Sequence, residues 1–479
     1  MFPGKSVAQS FWASRNLTDN NSNSNFVNLN YRSCGGLLFF AGGSSTYTYN
    51  NEAWVSNGTF NGTFPLSSRN VGSPVAYSPA EFTKVGNSVF FAATDTVHGR
   101  ELWKCDLTTY ATALVKDIRP TSASSSPHSF AECNGKLLFI CDADNSTING
   151  DELWISDGTE SGTVLLKDII PGKSDSGVTG AITTVNGIAY FDANAVSGSG
   201  SIPWRSDGTE AGTYQLANPG TSFGYPGAFT NYNGQTYFFM KTANSGGDFS
   251  LWRSTGTSAV VVKEKVADRL PDVVVIANNL MFFRGYDMSN GEEVWKSDGT
   301  DSGTVRVTDV GPGSAYGLDG YYGKPSEIVA MGSYVYFVGN DGSTGKQLYR
   351  TDGTNTNRVA LISNVTTSTK PDPTGLVVFN NTLFFRMVRD NYGLEWFTSD
   401  GTSVSAAPAI DLWPGTSSGI DSYQYVYSGE QVVIGNSLFF VGRDPSVRQE
   451  LWRIGPPLTI TSQPQSRILG TGSNVTFSV

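Results

Sequence analysis

The string ELWISDGTESGT at 152–163 returns in register as RSDGTEAGT at 205–213 and KSDGTDSGT at 296–304. A second aromatic-rich string recurs with it: GNSVFFAATD (86–95), NGKLLFICDAD (134–144), NGIAYFDAN (186–194) and NGQTYFFMKT (233–242). NNLMFFRGYD (278–287), GSYVYFVGND (332–341), NNTLFFRMVRD (380–390) and GNSLFFVGRD (435–444) continue it, and GGLLFFAGG (35–43) begins it. The period of about 50 residues holds four strands and three turns but is too short for an independent domain, so each unit must stack on its neighbours.

Each unit reads as two hairpins. In the third, HSFAEC (128–133) leads through Asn134-Gly135 into KLLFICDAD, and Asn-Gly between apolar runs is a strong hairpin signal because both turn positions take positive φ. These are strands a and b. ELWISDG is strand c, the DGTESG tip reverses the chain, TVLLKDI is strand d, and IPGKSDSG (170–177) links to the next unit. An aromatic holds one fixed place in strand c: Trp54, Trp103, Trp154, Trp204, Trp252, Trp295 and Trp452, with Tyr349 and Phe397 in the remaining two units. That regularity assigns it to packing between stacked sheets. The 54 Gly, 12% aromatic and 15% charged residues agree with short strands and many turns.

The ninth unit has strands a to c but no tip and no strand d; Gly455-Pro456-Pro457 follows instead. FWASRNL (11–17) aligns with the strand-d segment TALVKDI (112–118) and supplies the missing strand. The fold class is therefore all-β, a closed β-propeller of about nine four-stranded blades with the last blade completed by the N-terminal strand, leaving no open sheet edge. Eight blades is the alternative, because LWRSTGTSAVVVKEKV (251–266) makes unit five the weakest copy.

With these repeats in view, the chain resembles the ELWxxDGT-repeat family of bacterial exported proteins over about residues 10–455. The resemblance implies a propeller outside the cell and no established activity. KCDLTTYAT (104–112) and SIPWRSDGT (201–209) depart from the pattern, which weighs against any function that needs every tip. The segment PPLTITSQPQSRILGTGSNVTFSV (456–479) resembles the opening strands of a bacterial immunoglobulin-like domain. The domain division is thus a propeller at 1–455 and an incomplete immunoglobulin-like segment at 456–479.

A net charge of −10 and a pI near 4.8 argue against nucleic acid, which needs clustered Lys and Arg. No apolar run is long enough to span a membrane, and the chain as given starts without an apolar signal segment. Cys34, Cys105, Cys133 and Cys141 match no zinc or redox spacing, and three disulfide pairings stay open.

Candidate chemistry is sparse. His98 and His128, the two histidines of the chain, occupy no recurring position and read as ordinary loop or strand residues. Gly415-Thr-Ser417-Ser-Gly419 matches G-x-S-x-G in a linker without strand-turn-helix context and reads as a turn. Asp142, Asp144, Asn149 and Asp151 gather oxygen ligands of the kind calcium takes, without EF-hand spacing, so calcium is the one cofactor in view. Asp95, Asp287, Asp341 and Asp390 each precede a Gly and read as Asx-turns.

The functional expectation is a non-enzymatic extracellular propeller, an adhesion or structural module of a larger surface or fibre protein. Its partners would be cell-surface glycan or protein, or other copies of itself. The competing expectation is a polysaccharide-active enzyme with carboxylates in the central funnel, where DGYYGKP (319–325) and DSYQYVYSG (421–429) would stack on sugars.

Overall fold

The computed structural model describes residues 13–16, 31–42, 51–69, 76–143, 150–169, 178, 180–194, 201–216, 224–242, 247–311, 317–318, 327–342, 345–354, 359–360, 372–389, 392–405, 407–420, 431–442 and 450–455. The segment 456–479, read above as immunoglobulin-like, lies outside them.

The chain is all-β, built from successive four-stranded antiparallel meanders. Unit three is typical: His128–Cys133, Lys136–Asp142, Asp151–Ser156 and Val164–Lys167 pair in chain order. Units one and two share a sheet through the single pair Glu52–Tyr77. Unit five, the copy doubted on sequence, is a complete sheet of Gly227–Tyr232, Gln235–Lys241, Phe249–Ser254 and Ala259–Ala267. The irregular copy is unit eight, where Thr374–Phe379, Thr382–Arg389 and Gly393–Ser399 form three strands. Among the described residues, only the isolated bridges Ser399–Val404 and Trp396–Ile410 follow. Pro408 lies in that return segment and has no N–H to give a ladder. Unit nine, Val432–Ile434, Ser437–Gly442 and Glu450–Gly455, takes the N-terminal strand Ala13–Asn16 as its outer member, with Ala13 opposite Gly455 and Asn16 opposite Trp452.

The motif aromatic has one register partner throughout. Phe40 faces Trp54, Phe91 faces Trp103, Phe139 faces Trp154 and Phe191 faces Trp204. The pattern continues through Phe238–Trp252, Phe283–Trp295, Phe337–Tyr349, Phe385–Phe397 and Phe440–Trp452. Each pair packs against the preceding unit. Trp103 and Phe91 join Phe39, Ala53 and Val55 of unit one; Trp154 and Phe139 join Phe90, Leu102 and Val115 of unit two. The core is thus a series of seams between sheets, and one seam joins Phe439 and Leu451 of unit nine to Leu38 and Phe40 of unit one.

The tips are closed by their own hydrogen bonds. Asp157 Oδ1 accepts Thr159 N–H and O–H, Thr159 Oγ1 accepts Gly162 N–H, and Ser156 and Thr163 hydroxyls meet at 2.8 Å. Gly158 sits at φ +89°, and a Cβ on Gly162 would lie 2.1 Å from Asp157 Oδ1. Both glycines of DGTESG are therefore required, one for its backbone and one for space. Gly162→Ala should lower unfolding stability by about 1–3 kcal/mol, the usual cost of overpacking, measured by urea titration; an unchanged midpoint would show that Asp157 yields freely.

Candidate functional site

Strand direction sorts the turns onto two ends of the units. One end carries the a-to-b turns and the DGT tips, and it is cross-linked. Asn134 Nδ2 donates to Gly187 O and Asp207 O in the next unit, both at 3.0 Å. The basic residue after the motif aromatic reaches the next tip: Lys104 Nζ to Gly158 O at 2.8 Å, Lys296 Nζ to Gly353 O at 2.7 Å, and Arg350 Nη1 to Gly401 O. The tip carboxylates Asp157, Asp207, Asp298 and Asp400 are held below their ordinary pKa by the adjoining Thr hydroxyl and amide.

The opposite end carries the b-to-c loops and the d-to-a linkers, and the motif Glu governs it. Sequence reasoning gave this residue no role. Glu101 Oε1 accepts Ser125 N–H while Oε2 accepts Ile118 N–H and Ser125 O–H. Glu293 accepts Val310 and Gly311 N–H and Thr308 O–H. Glu395 accepts Leu412 and Gly419 N–H, and Glu152 accepts Ile169 N–H. Each is buried, and each fixes the linker that follows its own unit. The recoverable signal was its spacing, two residues before the aromatic. Where Ser250 replaces Glu, its hydroxyl accepts one bond instead, from Lys265 N–H within the following strand.

Unit three brings together residues that the sequence presented separately. Asp142 and Asp151 face each other across strands b and c. Arg119 Nη1 lies 3.2 Å from Asp142 Oδ2, and His128 Nε2 lies 3.4 Å from Asp151 Oδ2. His128 Nδ1 is 3.0 Å from Ser129 Oγ. Asp144 and Asn149, the other two residues of the calcium reading, lie outside the described residues. Among the described residues no group of three or more His, Cys, Asp or Glu is placed to hold a metal.

His98, at the same end of unit two, bonds through Nδ1 to Asp95 Oδ2 at 2.8 Å, and that bond raises its pKa. Asp95 is buried, which favours its neutral form, but bonds from His98 and Val97 outweigh burial and lower its pKa. Its Oδ1 also accepts the Val97 and His98 amides, and Asp287 does the same for Ser289 and Asn290, the Asx-turns expected. Gly415 of the G-x-S-x-G match has φ +98° in an irregular linker, as a turn residue should. The four cysteines are buried free thiols, so none of the three disulfide pairings is formed. Asp390 and the tyrosine-rich loops 319–325 and 421–429 lie outside the described residues.

Arg284 was also missed. It follows the Phe pair of unit six, is almost fully buried, and pairs with Glu292 Oε1 at 2.5 Å, while Arg269 Nη2 reaches both carboxylate oxygens, at 2.7 and 2.8 Å.

The clamps carry a pH dependence. Burial pushes Glu101 up to about 7 and Glu395 to about 8, against an ordinary 4.5. The folded chain therefore holds protons that the unfolded chain releases above pH 4.5, so stability falls as pH rises towards 7–8 and levels beyond. Melting temperatures taken from pH 5 to 8 should decline, and Glu101→Gln with Glu395→Gln should flatten that slope even though the starting value drops. An unchanged slope would assign the dependence elsewhere.

No protein-family model and no curated protein matches the chain. Solved structures do. The β-propeller domain of the Trilobed protease from Pyrococcus furiosus, described as having an open velcro topology, matches at 13% identity and a TM-score of 0.36, over 71% of this chain and 99% of that one. Pyrococcus horikoshii acylaminoacyl peptidase matches at 12% and 0.36 over 76% of this chain and 57% of that one. Porphyromonas gingivalis dipeptidyl peptidase 4 matches at 11% and 0.41 over 78% and 51%. The chain thus spans little more than half the length of the two peptidases. At these values the likeness carries no residue role or activity across. The expectation of a non-enzymatic adhesion module is corrected to this extent: each of these three matches is a protease or a peptidase, and none is an adhesion module.

Proposed function

We propose a closed nine-bladed propeller with an enzyme-associated role, whose loop-and-linker end receives the substrate or partner. The observation that carries this reading is the contrast between the two ends. The tip end spends its polar groups on unit-to-unit bonds such as Asn134 to Gly187 and Lys104 to Gly158. The loop end keeps its linkers rigid from beneath through Glu101, Glu293 and Glu395, leaving the outward residues of the loops available. Val97 and Met288, in b-to-c loops, and Tyr225, at a strand-a entry, are large apolar side chains exposed at that end.

Closure is supported by the seam between units nine and one and by the pairing of Ala13–Asn16 with Glu450–Gly455. Contacts run between the innermost strands of successive units and between Val432–Ile434 and Arg32–Cys34. Membership of the ELWxxDGT-repeat family, and with it an exported location, belongs to the same proposal; among the described residues no helix is long and apolar enough to cross a membrane. Glycan and protein are the ligand classes that apolar and aromatic loop residues suit.

Two measurements test the reading. Deleting residues 1–16 removes the outer strand of unit nine and should lower the melting temperature by several degrees; an unaltered transition would defeat closure. Hydrogen exchange with peptide or oligosaccharide mixtures should protect 95–100 and 285–292. Protection confined to the tips at 157–162 and 298–303 would place the binding end wrongly.

A further inference from the structure

We propose that Ser129, His128 and Asp151 form an acyl-transfer site for carboxylic esters at the loop end of unit three. In a regular strand, consecutive side chains point to opposite faces, so His128 and Ser129 could not meet. Here strand a carries a bulge between His128 and Ala131, and Ser129 takes φ +56°. The extra residue turns the Ser129 hydroxyl back to His128 Nδ1, at 3.0 Å. Equivalent bulges put Glu81, Ala228 and Gly375 at positive φ, but none of them follows a histidine. The scaffold is common to several units, and the chemistry is particular to this one among the described residues.

The far nitrogen of the same imidazole faces Asp151 Oδ2 at 3.4 Å. A hydroxyl on one ring nitrogen and a carboxylate on the other is the arrangement that activates a serine, with the ring nitrogens in the opposite order to the usual one. The His128 and Asp151 side chains are each 35% exposed, so a substrate can approach. Ser129 Oγ also lies 3.1 Å from Gly180 O, and its proton must swing from that carbonyl to His128 for attack. The next amide, Phe130 N–H, makes only a long 3.3 Å bond to Glu81 Oε2 and is the donor nearest in sequence to a developing oxyanion.

In the first step Ser129 Oγ bonds to the ester carbonyl carbon as its proton passes to His128 Nδ1, and Asp151 stabilises the imidazolium. Collapse breaks the carbon–alkoxide bond, and the leaving alcohol takes the proton from His128. Water then attacks the acyl-serine, giving its proton through the same ring, and releases the acid with Ser129 restored.

The test uses the whole chain with a fluorophosphonate probe and, separately, p-nitrophenyl acetate. The probe should attach at Ser129, located by peptide mass spectrometry, and the rate should fall at least tenfold in His128→Gln and in Asp151→Asn. Ser129→Gly suits the positive φ, so it should melt no lower than the parent while losing both the adduct and the esterase activity. Absence of an adduct on Ser129, or labelling at an equal rate in His128→Gln, would overturn the proposal. These outcomes are independent of where hydrogen exchange places the binding end.

Discussion

Everything in this chain depends on one cross-strand contact, the aromatic pair between strands b and c. A unit of about 50 residues cannot bury enough apolar surface by itself. The aromatic pair, Phe with Trp in seven units and Phe with Tyr or Phe in the other two, gives each sheet a broad flat face that the preceding sheet covers, as in the stacked rings of Phe191 and Trp204 and of Phe238 and Trp252. Because the seam lies between units, stability is shared by nearest neighbours, and the end units need each other as much as the middle ones do. The apolar cluster of Leu38, Phe40, Phe439 and Leu451 meets that need at the junction of the two ends.

The motif divides its work by residue. The aromatic packs the seam, the Lys or Arg after it holds the tip of the next unit, the Asp-Gly-Thr closes the tip of its own unit, and the Glu fixes the linker. Burying a carboxylate costs heavily unless donors surround it, and Glu101, Glu293 and Glu395 each accept two or three hydrogen bonds. Backbone amides that would otherwise be stranded under the linkers are satisfied in the same act. In these units the Glu is thus a structural carboxylate, and its place at the loop end follows from where strand c begins.

Periodic features were legible because a repeat prints each constraint many times. The strand order, the hairpin tips, the aromatic position and the pairing of 13–16 with the last unit could all be read from register. Features that occur once were not legible. Arg284 looks like one more variable residue after a Phe pair until its ion pair with Glu292 is seen. His128 and Ser129 are adjacent in sequence, yet adjacency in a strand predicts separation; only the bulge and the positive φ of Ser129 reverse that. Unit five was misjudged because its DGT tip had decayed. Its strand pattern was intact, whereas unit eight kept the tip and lost the outer strand.

The same logic bears on where function can arise. Positions fixed by the seams and tips serve folding in every unit, so a new activity must use positions that the framework leaves free while borrowing its rigidity. The bulge on the innermost strand is such a position: the fold imposes an unusual backbone there while the residue that fills it differs from unit to unit, as Glu81, Ser129, Ala228 and Gly375 illustrate. At unit two the bulge residue bonds to the Phe130 amide of the neighbouring innermost strand, and at unit three it meets a histidine and, through it, an aspartate. A site of this kind needs few substitutions to appear, because the strain that brings its groups together is already present for structural reasons.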